Sequence, residues 1–190
     1  MAYRGFKLTA IWPLIAINLL LFIATSINPD LKDLFGLMPA RFLENPWTLV
    51  TNIFVHGGIG HILGNMLVLF FFGGFLCRLI GVRNFLITYF GGGILGSILF
   101  ILLASSDSTV IGASGAAYAL AGALVVMMPN LRVLVYFIVP MRLWMVILVF
   151  FVLWSIPDII PGVAWQAHLG GLVLGLVAGY FFRRRGRYFF

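Results

Sequence analysis

Residues 164–182 read AWQAHLGGLVLGLVAGYFF and run directly into Arg183, Arg184 and Arg185. At 1.5 Å per residue this run spans about 28 Å, close to the ~30 Å hydrocarbon core of a bilayer. A water-facing helix carries a polar face, and this run has none. Gly171, Gly175 and Gly179 recur every fourth residue and make a smooth ridge that lets a second backbone approach closely. The stretch is therefore a membrane-crossing helix built for tight packing, with His168 near its outer end.

The rest of the chain agrees. Of 190 residues, 63% are hydrophobic and 9% charged, and the mean hydropathy is +1.13. A soluble domain averages about 25% charged residues. This composition excludes disorder and a coiled coil, and a single cysteine, Cys77, excludes a disulfide scaffold. The net charge of +7 would suit nucleic acid, but no basic face with interleaved aromatics accompanies it. The partner it implies is the lipid bilayer.

Charges at mid-bilayer cost about 2.5–3.5 kcal/mol each on insertion scales, so charge-free intervals delimit the spans. They are 8–29, 45–77, 84–106, 108–131, 143–157 and 159–182. The spacing predicts one all-α domain over 1–190, a polytopic six-helix bundle with helices at about 8–27, 58–77, 84–104, 114–128, 142–156 and 166–182. Residues 1–27 read as a retained helix, since the apolar run exceeds the ~7–15 residues of a signal-peptide core. A long first outer loop, 28 to about 56, is rich in apolar residues and is expected to lie on or in the outer leaflet. Val133–Val139, too short to cross, is expected as an interfacial loop. With both termini inside, Arg4, Lys7, Arg78, Arg83, Arg132, Arg142, Arg183, Arg184, Arg185 and Arg187 all face the cytoplasm, and Asp30, Asp33, Glu44, Asp107 and Asp158 all face out. The positive-inside rule selects that orientation.

Polar residues inside such spans are candidates for function. Ser114 and His168 each lie 15 residues above an inner boundary, at Pro129 and Arg183, which is roughly 22 Å. Asn65 and His61 lie 13 and 17 residues before Arg78, roughly 20 and 26 Å up. Four polar groups from three helices thus share one layer, open toward the outer face. His61 and Asn65 are spaced i, i+4 on one helical face. Gly112 and Gly115 flank Ser114, and Tyr118 lies one turn on along the serine's face. Ala117 and Ala121 offer a smooth surface to the Gly171 and Gly175 ridge. If those surfaces pack, Ser114 and His168 come within hydrogen-bond reach. A histidine can take the serine proton, and Asn65, His61 and the Ser114 N–H are donors for an oxyanion. The chemistry implied is amide hydrolysis inside the membrane by a Ser–His dyad, without metal or cofactor.

Other chemistries fit less well. His56 and His61 are five residues apart with no glutamate between them, unlike a zinc protease helix. Asp107 and Asp158 lie in outer loops, and Lys7 and Lys32 lie outside the core. A transporter would favour broken mid-membrane helices and paired repeats. Ser97 and Ser155 read as serines bonded to their own helices, and Asn18 as an interhelical hydrogen bond.

In order along the chain stand Trp47, His56, His61-Ile-Leu-Gly-Asn65, Gly112-Ala-Ser114-Gly115-Ala-Ala-Tyr118 and Ala167-His168-Leu-Gly-Gly171-Leu-Val-Leu-Gly175. This ordered set resembles the rhomboid family of intramembrane serine proteases, in the minimal six-helix form of its prokaryotic members. The resemblance implies Ser114 as nucleophile, His168 as general base, and His61 and Asn65 lining the oxyanion hole. It also implies Tyr118 stacked on His168, Gly171 and Gly175 packing the sixth helix on the fourth, and His56 as a structural residue of the first loop. Substrates would be single-spanning membrane proteins, cut near the outer end of their helix. The fifth helix and Ser155–Trp165 would form a lateral gate, and the chain would lie in a prokaryotic plasma membrane. Thr48 departs from the pattern, standing where many members carry Arg.

Overall fold

The computed structural model describes residues 10–135, 138–154 and 162–184. The expectations placed on Arg4, Lys7, Ser155, Asp158, Arg185 and Arg187 lie outside the described residues. The described helices are α1 (Ile11–Ile27), α2 (Asp30–Phe35), α3 (Thr48–Thr51), α4 (Ile59–Val68), α5 (Gly74–Leu103), α6 (Ser114–Met127), α7 (Leu143–Trp154) and α8 (Trp165–Arg184).

The interval expected to hold two helices with a six-residue link is nearly continuous helix. A π-helical stretch, Leu69–Gly73, joins α4 to α5, and α5 departs from helical geometry at Gly81 alone, with φ 80° and ψ 163°. A side chain at that φ is strained, so glycine permits a turn without a linker. The chain folds back there. A Cβ on Gly73 would stand 3.2 Å from a Phe85 ring carbon, whereas twelve residues of straight helix would separate them by about 18 Å. Ile59–Leu103 and Trp165–Arg184 are each long and apolar enough to cross a membrane, and Ile11–Ile27 and Ser114–Met127 are shorter apolar helices.

Glycine and alanine decide which helices meet. A Cβ on Gly171 would fall on the Gly115 carbonyl, and one on Gly175 on the Ala119 carbonyl. On α5, a Cβ at Gly92 would strike Ala119, and one at Gly96 would stand 2.6 Å from the Ala167 carbonyl. The backbones of α5, α6 and α8 therefore touch, and residues 115–124 of α6 are buried throughout. The glycine ridge does face α6, but it meets Gly115, Ala119 and Ala123 and not the expected Ala117 and Ala121, because α6 presents the neighbouring row of small residues.

Two loops differ from expectation. The long first loop folds into α2, α3 and two 3₁₀ turns, Pro39–Arg41 and Asn52–Phe54. It is tied to the α5–α6 connection by paired Leu37 and Val110 backbone bonds of 3.0 and 2.9 Å, and by Ala40 N–H donating to Ser106 O at 3.0 Å. Thr48 is buried and donates to Asn45 O at 2.6 Å, holding the loop's own turn. The region Val133–Val139, expected as a loop in an all-α chain, belongs to an antiparallel hairpin of β1 (Arg132–Val135) and β2 (Val139–Arg142). Its β-branched residues alternate, so two short strands can satisfy each other's backbone without a helix.

Candidate active site

Ser114 is the first residue of α6 and Gly112 stands just ahead of it with φ 120°. That conformation suits glycine, and a Cβ there would also lie 2.5 Å from His61 Nε2. Gly112 N–H donates to Asn52 O at 2.8 Å, and Ala113 N–H donates to His56 Nε2 at 3.4 Å. The two residues ahead of Ser114 are thus anchored to the first loop.

Packing of α8 on α6 brings His168 Nε2 to 2.9 Å from Ser114 Oγ. The His168 ring is buried and stacks on Tyr118, with centroids 4.6 Å apart and planes inclined by 30°. Stacking fixes the ring plane, so Nε2 stays aligned with the hydroxyl. A serine bonded to a histidine held in this way is the arrangement that nucleophilic acyl transfer needs.

His61 lies beside His56, with ring centroids 5.0 Å apart. Gly57 N–H donates to His61 Nδ1 at 3.4 Å. In the neutral ring that acceptor role leaves the proton on Nε2, the atom next to Gly112. His61 therefore presents a donor beside the Ser114 turn. Asn65 is buried on α4, and its Nδ2 donates back to His61 O at 2.9 Å. One amide hydrogen is spent there and one remains. His56 is fully buried in the loop ahead of α4; burial, with the neighbouring His61 second, holds its imidazole down at about 4.

Asn52 is not among the polar residues that depth along the spans singles out, and Ser97 reads from sequence as bonded to its own helix. Ser97 does bond its own helix, donating to Gly93 O at 3.0 Å. Its oxygen also accepts from Asn52 Nδ2 at 2.9 Å, and the same amide donates to Leu49 O at 3.1 Å and to Thr48 O. Both side chains are buried. Asn52 links α5 to the turn before Ser114, because its carbonyl receives Gly112 N–H. A lone asparagine amid Leu49, Val50, Ile53, Phe54 and Val55 was the available signal.

A family model described as the rhomboid domain matches residues 43–185. The chain belongs to the rhomboid family. Among relatives of this rhomboid, YdcA of Bacillus subtilis, named as a candidate rhomboid protease, is 40% identical over 76 residues, 40% of this chain and 38% of that protein. Rhomboid protease GluP of the same bacterium is 33% identical over 129 residues, 64% of this chain and 25% of that one. RHOMBOID-like protein 4 of Arabidopsis thaliana is 32% identical over 146 residues, 76% of this chain and 36% of that one. The matches thus cover well under two thirds of these relatives' own lengths. The family is one of membrane proteins whose members include named proteases, and the matched span contains every site residue described above.

Proposed function

We propose that this rhomboid is an intramembrane serine endopeptidase that hydrolyses a peptide bond near the outer end of transmembrane helices in single-spanning substrates. The observation that carries this is the 2.9 Å Ser114–His168 bond between two helices whose backbones touch. His168 Nε2 takes the Ser114 proton as Oγ attacks the peptide carbonyl. The Ser114 N–H, His61 Nε2–H and the free Asn65 hydrogen are the donors for the developing oxyanion, each worth about 2.7–4 kcal/mol in such holes. The imidazolium then gives its proton to the leaving amine. A water, deprotonated by His168, hydrolyses the acyl-enzyme and restores Ser114.

The proposed topology is six crossings in a prokaryotic plasma membrane, both termini cytoplasmic and the site open toward the outer face. Its support is the asymmetry of basic residues and the shared depth of the polar groups. The domain would span 1–190, and α7 with the following segment would admit substrate laterally. Within the expected gate, residues 155–161 lie outside the described residues.

The test is cleavage of a single-span reporter in liposomes by the parent, Ser114→Ala and His168→Ala proteins. Loss of at least about 10³-fold in both variants is expected. A Ser114→Ala protein that cuts at the parent rate would overturn the proposal.

A further inference from the structure

At the end of α6 remote from Ser114, the hairpin places Arg132 directly opposite Arg142. Like charges facing each other across a two-stranded ladder repel, and both side chains are exposed. Among the described residues the carboxylates are Asp30, Asp33, Glu44 and Asp107, which sit in the first loop and the α5–α6 connection, at the other end of α6. Among the described residues no carboxylate is placed to relieve the pair. Arg183 adds a third charge nearby, its Nη1 donating to Val126 O at 3.3 Å on the last turn of α6. That one bond leaves most of its guanidinium donors free.

Next to these arginines lies an apolar groove of about 240 Å³, lined by Val125, Trp144, Ile147, Leu148, Leu172 and Leu176. It opens between α6, α7 and α8. The chain connects it to the charges on every side. Trp144 follows Arg142 by two residues, Val125 precedes the carbonyl that holds Arg183, and Leu176 lies two turns before Arg183. Leu143 N–H donates to Leu131 O at 2.9 Å, closing the hairpin onto α7.

We propose that this junction is a binding site for one anionic phospholipid of the inner leaflet. The phosphate sits between Arg132 and Arg142 with Arg183 beside it, and an acyl chain lies in the groove against α7. Charge complementarity names the occupant. Guanidinium forks bind phosphate oxygens in paired hydrogen bonds, and basic pockets between helices at a cytoplasmic surface select anionic head groups. An apolar groove whose lining residues Trp144 and Val125 stand within two residues of Arg142 and of the Val126 carbonyl that holds Arg183 calls for a ligand with a hydrocarbon tail. The site rests on the proposed orientation, which puts this end of the bundle at the cytoplasmic face, and is independent of the dyad.

The test uses the full chain purified in detergent, with bound lipid counted by native mass spectrometry. Dioleoylphosphatidylglycerol is compared with dioleoylphosphatidylcholine for the parent, for Arg132→Gln/Arg142→Gln, and for Arg41→Gln in the first loop. The parent and Arg41→Gln are expected to prefer the anionic lipid, and the double variant to lose that preference by about tenfold or more. Leu176→Trp, which fills the groove, is expected to weaken retention of both lipids. Circular dichroism confirms that each variant is folded. Equal retention of the two lipids by the parent, an unchanged double variant, or full displacement by millimolar glycerol phosphate would each overturn the lipid site. Failure of the parent to float with liposomes of any composition would instead overturn the membrane-crossing reading beneath it.

Discussion

The α6–α8 seam and α7 are both apolar helix surfaces in the same bundle, yet they are built in opposite ways. Along the seam, Gly171, Gly175 and Gly179 meet the carbonyls of Gly115, Ala119 and Ala123 with no room for a methyl group. On α7, Leu143 and Ile147 are the buried residues among the described side chains, while Trp144, Met145, Leu148, Val149, Val152 and Leu153 are exposed, and a groove opens between the helix and α6 and α8. Backbone contact leaves no rotamers to adjust, so the seam fixes the Ser114–His168 distance. Large side chains with few protein partners give α7 no comparable backbone lock. The proposed protease would use both properties, a rigid dyad and a wall that can yield to substrate.

The sharpest way to break this contrast is Gly171→Ala. The new Cβ meets the Gly115 carbonyl, which a helix cannot move, so a loss of about 3 kcal/mol is expected, along with nearly all cleavage. Thermal melting in detergent beside the liposome assay reads both. A Gly171→Ala protein as stable as the parent would show that the seam is not set by backbone contact.

A second break falls where the seam meets the first loop. Asn52→Ala removes the bonds to Ser97, Thr48 and Leu49 and strands buried partners, at a cost of about 2 kcal/mol. The backbone carbonyl of residue 52, which the variant keeps, receives Gly112 N–H; with the side chain no longer holding that turn in place, turnover is expected to fall with KM nearly unchanged. A rise in KM alone would place Asn52 in substrate binding instead.

His56 sharpens the comparison through pH. Its folded-state value near 4 lies below the ordinary 6.5, so protonation opposes the fold. Its contribution is complete above pH 6.5 and is lost as pH falls toward 4, amounting to about 2 kcal/mol by pH 5. Melting midpoints of the parent and His56→Gln from pH 7.5 to 4.5 are expected to converge as pH drops. Parallel curves would remove His56 from the acid response.

The smallest effect is expected on α7. Leu148 is 54% exposed, so Leu148→Ala should change stability by less than about 0.5 kcal/mol. A cost comparable to that of Gly171→Ala would show α7 to be as firmly packed as the seam.

Much of the site was legible because membrane insertion exposes its signals. A histidine or serine in an apolar run stands out, and helix rise converts its position into depth. That arithmetic brought Ser114 and His168 to one layer, and the glycine period predicted the seam that joins them. Asn52 and Ser97 were not legible, since their meaning lies in a contact across 45 residues of sequence. The turn at Gly81 falls inside the 78–83 interval that Arg78 and Arg83 mark as a break; what the sequence did not show is that helix continues right up to it on both sides, because a glycine reversal needs no extended linker.

Read as a sequence alone, the chain is apolar enough to live in a bilayer, and its order of residues marks which are polar within that phase and which helix faces are smooth. These follow from composition and period, which need no knowledge of partners. Tertiary packing supplies the 2.9 Å dyad bond, the Gly57–His61 contact, the anchoring of Gly112 by the Asn52 carbonyl and the facing arginines of the hairpin. Each depends on the relative placement of distant segments, and hydrogen bonding and charge repulsion act over a few ångströms that no local pattern specifies.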